Sequence, residues 1–179
     1  MAGNGVRLTD FCASSWCKPS RQGLMTGCNP NRGMVNGKSL ADRVTVAEML
    51  KENGYATALI GKWHLGMGKG LHPLDQGFDH WYGTKSSNDH DGPRPNYENF
   101  KNAPEKAWKT PLYIDRDKAG IIPQSKFTQW YTREATGFIE ANKERPFFLY
   151  LAHNMPHVPL YPSEKFKGKS KNGVYGDVV

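Results

Sequence analysis

Two stretches of the chain carry apolar residues at helical spacing. In the first, TVAEMLKENG, the residues Val46, Met49 and Leu50 fall on one helical face. Thr45 and Glu48 have the spacing of a capping box, in which each side chain bonds the backbone of the other. The second stretch runs from Phe127 to Lys143. Its predicted apolar face consists of Tyr131, Ala135, Phe138 and Ile139.

Three short apolar runs predict β-strands at Val6–Phe11, Ala56–Ile60 and Phe147–Ala152. Helices, short strands and polar loops follow one another along the chain, which is typical of an α/β protein with a mostly parallel sheet. Ligands bind at the carboxyl ends of the strands in such sheets. The segments KWH and HNMPH follow the last two of these strands, so we expect them at a binding site.

The predicted sheet is incomplete. Only three strands are evident, and the final GVYGDVV predicts no closing helix. Residues 85–124 are rich in Pro, Asn, Asp and Gly and predict a long loop or insertion, a feature that is often functional. We therefore expect residues 1–179 to be a partial domain with both ends truncated.

Composition narrows the range of functions. The 179 residues are 37% hydrophobic and 23% charged, as in a folded protein, and no apolar run reaches the roughly 20 residues of a membrane span. The net charge of +7 favours an anionic partner, such as an acidic glycan or a sulfate or phosphate ester.

Without a nucleic-acid-binding motif, we expect no nucleic-acid partner. Three cysteines predict no disulfide framework, and no zinc-site spacing occurs.

The most distinctive stretch is SSWCKPSRQGLMTG, in which Cys17 precedes a predicted helix at Ser20–Thr26. A helix N-terminus favours negative charge and makes a thiol more reactive. Arg21 follows about one turn later and can hold an oxyanion. A cysteine-dependent phosphatase would need its arginine six positions after the cysteine, where Gly23 stands, so the spacing excludes that class.

The sequence CKPSRQGLMTG resembles the first signature of the type I sulfatases, Cys-x-Pro-Ser-Arg followed by apolar residues and Thr-Gly. GYATALIGKWHLG is similar to the second signature and carries Lys62 and His64. RPFFLYLAHNMPHVPLYP resembles the strand and loop that present a histidine, which matches His157, with His153 as the alternative. In DQGFDHWYGTKSSNDHDG, the substrate-binding serine of the family matches Ser87 best.

This resemblance, strongest to arylsulfatase A and galactosamine-6-sulfatase, implies an alkaline-phosphatase-like α/β sandwich and a sulfuric ester hydrolase. It implies that a maturation enzyme oxidises Cys17 to formylglycine, whose hydrate attacks sulfur. Arg21 and Lys62 would steady the hydrate, and His64 would be the base for release. Lys62, Ser87 and His157 would bind the substrate, a sulfate ester or sulfated glycan, with His157 also protonating the leaving group.

The resemblance also implies a divalent cation, Ca²⁺, with modified Cys17 as a ligand. The family's aspartate pair and Asp-Asn pair are absent from this sequence, so we expect the isolated chain to bind metal poorly and to be inactive. Two alternatives stay open: a phosphonate or phosphodiester hydrolase of the same superfamily, and a fragment that binds sulfated glycans without turnover. The family resemblance implies a periplasmic, secreted or lysosomal location. The residues of the chain give no indication of the compartment.

Overall fold

The computed structural model describes residue 3 and residues 5–30, 40–92 and 103–179. The described residues form one five-stranded sheet in the order β4-β3-β2-β1-β5. The strands are β1 (Ala56–Lys62), β2 (His80–Thr84), β3 (Pro111–Ile114), β4 (Asp117–Ile121) and β5 (Phe147–Ala152). The described helices are α1 (Cys17–Thr26), α2 (Val46–Glu52), α3 (Phe127–Asn142) and α4 (Gly173–Val178).

The centre of the sheet is parallel and one side is antiparallel. Strand β1 pairs in parallel with both β2 and β5, whereas β2–β3 and β3–β4 are antiparallel. The predicted α/β class with a mostly parallel central sheet is therefore confirmed. Because β1, β2 and β5 run the same way, the loops that follow them leave from one edge of the sheet.

One strand prediction was wrong, a predicted loop contains two strands, and one helix was not predicted. Residues Val6–Phe11 form no strand, and the side chains of Val6 and Phe11 are 86% and 73% exposed. The region 85–124 is not entirely loop, because it contains the β3–β4 hairpin. Strand β4 carries Asp117 and Lys118 and is mostly exposed, so it lacks the apolar signal that marks a buried strand. At the carboxyl end, α4 forms where no helix was predicted.

Strand β2 was missed for a related reason. Its sequence, HWYGT, is short and mixes aromatic with polar residues, yet four of its five residues are buried. Burial here comes from the position of β2 between β1 and β3 and not from apolar composition.

The helices match their predicted positions with shifts at their ends. Helix α1 begins three residues before the predicted start, so Cys17 is its first residue and Trp16 its N-cap. The capping box of Thr45 and Glu48 is present in α2. The predicted faces rotate slightly, because Met49 is 49% exposed and Ile139 is 41% exposed.

The sheet separates two apolar clusters, and neighbouring residues of β1 point into opposite ones. Leu59 packs in a cluster with Met25 of α1 and Ala47 of α2. Ile60 packs in the other, with Phe127 and Tyr131 of α3 among its members. Within the described ranges, no helix is both long and apolar enough to cross a membrane.

The backbone of β1 approaches its neighbour closely at Gly61. This residue has φ +113°, and a Cβ placed on it would lie 2.0 Å from the carbonyl oxygen of Ala152 in β5. Only glycine satisfies both conditions. The requirement matters for function because the next residue is Lys62.

We expect Gly61→Ala to lower the free energy of unfolding by at least about 3 kcal/mol, since the new methyl group must separate β1 from β5. Gly137→Ala is the matched control: its Cβ meets nothing within 4 Å on α3. That change should raise stability by about 0.5–1 kcal/mol. Urea denaturation measures both; equal effects would contradict the close approach.

Candidate active site

The carboxyl end of β1 brings Lys62 and His64 to the edge of the sheet. Lys62 is the last residue of the strand and is 2% exposed. Trp63 then anchors the chain, because its backbone N–H donates to Thr84 O and its indole is fully buried. His64 has φ +65°, a conformation that is uncommon for a residue with a side chain. Strained backbone of this kind is concentrated at functional sites.

Cys17 and His64 are in direct contact. The thiol Sγ lies 3.2 Å from His64 Nδ1, across 47 residues of sequence. Burial lowers the pKa of His64 to about 4, and the positive charges of Lys62 and Arg21 add to the effect. The ring is therefore neutral at pH 7, so Nδ1 is able to accept a proton from residue 17.

Arg21 lies one turn after Cys17 on the same face of α1 and binds two neighbouring strands. Its Nη1 donates to the carbonyl of Lys62 at 2.5 Å and to the hydroxyl of Tyr150 on β5 at 3.2 Å. The guanidinium also lies over the Tyr150 ring, 5.9 Å from its centre. These contacts hold the helix start against the ends of β1 and β5.

Lys62 and Ser87 form a buried hydrogen bond. Lys62 Nζ donates to Ser87 Oγ at 2.7 Å, and Ser87 is 3% exposed. Burial lowers the pKa of Lys62, Arg21 lowers it further, and the nearby Cys17 and Asp89 oppose these effects. The bond joins the residue at the end of β1 to the loop that follows β2.

The structure thus brings together five of the predicted site residues: Cys17, Arg21, Lys62, His64 and Ser87. His157 is connected differently. Among the described residues its imidazole contacts only a neighbour, with Nδ1 2.6 Å from Val158 O, whereas its carbonyl accepts a bond from Asn88, the residue after Ser87.

The alternative histidine, His153, is half-buried beside an aromatic ring. Its ring centre is 6.0 Å from that of Tyr131, and its buried Nδ1 has no hydrogen-bond partner among the described residues. Burial lowers its pKa. His153 thus packs against an aromatic residue, and His157 is the better candidate for contact with a substrate.

Two further residues at the site had no signal in the sequence analysis. His90 lies edge-on to His64 with ring centres 5.5 Å apart. Asn88 is fully buried and connects the loops after β2 and β5. Both follow Ser87 within three positions, so only proximity to that serine could have suggested them.

Residues 1–177 match the family model described as Sulfatase. The chain belongs to the sulfatase family. The expected family and fold are therefore confirmed. The motifs that carry Lys62, Ser87 and His157 fall at the carboxyl ends of β1, β2 and β5, where α/β proteins bind ligands, and the motif of Cys17 lies on α1.

Curated sulfatases match over the whole chain. It is 36% identical to N-acetylgalactosamine-6-sulfatase from Canis lupus familiaris, with 100% of this chain and 38% of the relative covered. It is 34% identical to arylsulfatase G from Mus musculus, with 98% and 39% covered. The chain thus spans less than two fifths of the length of these two sulfatases.

Solved structures are similar to this chain as well. The structure of Ps i-CgsB in complex with k-i-k-neocarrahexaose is 28% identical with a TM-score of 0.70, covering 91% of this chain and 41% of that one. The PsFucS1 sulfatase from Pseudoalteromonas sp. is 25% identical with a TM-score of 0.71, covering 93% and 40%.

The sulfatase chain does not provide a metal site within its described residues. No group of three or more His, Cys, Asp or Glu side chains there could hold a metal ion. Around Cys17, the neighbouring polar groups are the cations Arg21 and Lys62 and the neutral His64, which do not form the oxygen-rich set that Ca²⁺ requires. We therefore assign no metal ligands beyond the expectation for residue 17.

We expect Ser87→Ala to lower the free energy of unfolding by about 1–3 kcal/mol, because buried Lys62 loses an acceptor. Ser86→Ala is the matched control, since this neighbouring buried serine makes no hydrogen bond to Lys62. Chemical denaturation of both variants measures the difference. A larger loss for Ser86→Ala would contradict the assigned contact.

Acid should destabilise the protein through His153. Its pKa is lowered in the folded state, whereas the unfolded chain binds a proton near pH 6.5. Stability is therefore retained above about pH 6.5 and falls as the pH drops towards the lowered folded value. We expect His153→Phe to flatten this part of the curve of melting temperature against pH. Part of the fall in melting temperature with acid should persist in this variant, because burial also lowers the pKa values of His64 and His72.

Proposed function

We propose that this protein hydrolyses a sulfate monoester, with residue 17 as the point of attack. The observation that carries the proposal is the convergence of Cys17, Arg21, Lys62 and His64 at the end of β1. Membership in the sulfatase family supports the same reaction. Residue 17 has a partly exposed side chain at a helix start, where a substrate and a maturation enzyme can reach it.

Two cations beside residue 17 suit an anionic substrate. Arg21 is fixed by a carbonyl and a phenol through Nη1, which leaves its other N–H groups to bind sulfate oxygens. Lys62 is nearly fully buried, so its attraction for a developing negative charge is weakly screened. These side chains are held before substrate arrives, and so little reorganisation is needed in the transition state.

His64 would take the proton from residue 17. Its ring is neutral at pH 7, and Nδ1 is within hydrogen-bonding distance of the side chain. Oxidation of Cys17 to formylglycine would supply a hydrated aldehyde, whose hydroxyls allow attack on sulfur and later release of sulfate.

His157 and Ser87 would contact the substrate near the oxygen that leaves with the alcohol. Ser87 Oγ already bonds Lys62 and lies at the edge of the proposed sulfate site. His157 Nδ1 lies within hydrogen-bonding distance of a carbonyl, so Nε2 is the atom placed to contact a leaving oxygen. The residue is partly exposed, as a group that meets the substrate must be.

A sulfated saccharide is the substrate class that we favour. Relatives are named for N-acetylgalactosamine 6-sulfate, and a similar structure holds a neocarrahexaose. The net charge of +7 is also suited to attracting an acidic glycan. Export to the periplasm, the exterior or a lysosome would give access to such a substrate.

The test uses the full product of the gene, made together with a formylglycine-generating enzyme. We expect the mass of the peptide that contains Cys17 to show conversion to the aldehyde, and 4-nitrophenyl sulfate to be cleaved. Cys17→Ala should abolish cleavage, whereas Cys12→Ala, which changes an exposed cysteine, should not alter the rate.

Persistent turnover in Cys17→Ala would overturn the proposal. Faster cleavage of a matched phosphodiester than of the sulfate would favour the phosphonate or phosphodiester alternative. Glycan binding that survives Cys17→Ala, in a protein whose Cys17 remains an unmodified thiol and which shows no turnover, would favour a binding fragment.

A further inference from the structure

The loop after β2 and the loop after β5 are joined by one buried side chain. Asn88 is 0% exposed, and its Nδ2 donates to Pro159 O at 3.1 Å and to His157 O at 3.3 Å. Nδ2 also lies 2.8 Å from Gln124 Oε1. Asn88 therefore touches the backbone on both sides of Val158, next to the residue proposed to protonate the leaving group.

The position of Asn88 is itself fixed from the opposite side. Its carbonyl accepts from Gln124 Nε2 at 2.7 Å and from Thr110 Oγ1 at 3.1 Å. Gln124 and Thr110 are each 2% exposed. We call Asn88, Thr110 and Gln124 the Asn88 clasp. The residue before it in the chain, Ser87, is bonded to Lys62, so the clasp is continuous with the sulfate end of the site.

Among the described contacts, the His157 ring bonds only to the adjacent Val158 carbonyl. The distance between this ring and Lys62 therefore depends on how the backbone of the loop is held. One connection runs through Asn154, whose carbonyl accepts from the His157 backbone N–H and whose side chain bonds Thr84 at the end of β2. Asn88 provides the other connection, from the residue next to Ser87, which bonds Lys62.

We propose that Asn88 is a positioning residue, which holds His157 at the correct distance from the Lys62–Ser87 end of the site. This inference rests on the proposed function. Asn88 acts through the backbone of the His157 loop and does not touch the substrate, since its side chain is fully buried among protein groups.

The role proposed for Asn88 should depend on the leaving group of the ester. Proton donation matters most when the leaving oxygen is strongly basic, as in phenol or a sugar alcohol, and matters little for 4-nitrophenol. Displacement of His157 should therefore slow esters with poor leaving groups and spare esters with good ones. A merely structural defect would slow both to the same extent.

The experiment compares phenyl sulfate with 4-nitrophenyl sulfate in the mature full-length enzyme. We expect Asn88→Ala to lower kcat for phenyl sulfate by about ten- to a hundredfold, with less than about a threefold change for 4-nitrophenyl sulfate. Gln124→Met removes a partner of Asn88 and should act in the same direction. Gln76→Met is the matched control, because it removes an equally buried glutamine whose amide donates to Gly70 O, away from the Asn88 clasp.

A double variant makes the test specific. If Asn88 acts through His157, Asn88→Ala should add no selective loss in a His157→Ala background. Equal losses for both esters, or an additive loss in the double variant, would overturn the role of Asn88. If Asn88→Ala does not fold, Gln124→Met tests the role of Asn88 by the same comparison of the loss in kcat for phenyl sulfate with that for 4-nitrophenyl sulfate.

If the proposed function itself is wrong, the His157 and Cys17 variants will show it. An absence of leaving-group selectivity in His157→Ala alone would remove the proposed acid and with it the role of Asn88. Turnover that persists in Cys17→Ala would reject the sulfatase mechanism whatever the Asn88 variants show.

Discussion

The parallel pairing of β1 with β2 on one side and β5 on the other is the constraint on which the site depends. It directs the carboxyl ends of three strands to one edge of the sheet, so that Lys62, Ser87 and the His157 loop come from distant parts of the sequence. Gly61 allows the close backbone approach to β5 just before Lys62. Helix α1 then adds Cys17 and Arg21 against the same edge.

The site concentrates positive charge in a partly buried place. Burial and the charge of Arg21 lower the pKa of Lys62, and burial together with both cations lowers the pKa of His64, which is an unfavourable arrangement for a protein without an anion. An anionic sulfate would relieve that repulsion on binding. The strained backbone of His64 is a second local cost, and both are concentrated where the proposed chemistry takes place.

The loops around this edge differ in how they are fixed. Lys62 and Arg21 are held by direct side-chain bonds, whereas His157 is held through its backbone by the Asn88 clasp. Such a division gives the sulfate end a rigid geometry and makes the leaving-group end depend on a buried amide network.

Local sequence determined the family, the capped helix α2, the long helix α3 and the strands β1 and β5, because each has a continuous apolar period or a short motif with fixed spacing. Tertiary structure alone decided β2 and the β3–β4 hairpin, whose pairing depends on neighbours that no local pattern reveals. It also decided that Val6–Phe11 is not a strand and that His90 and Asn88 belong to the site. Contacts such as these join residues far apart in the chain, so they exist only once the sheet has formed.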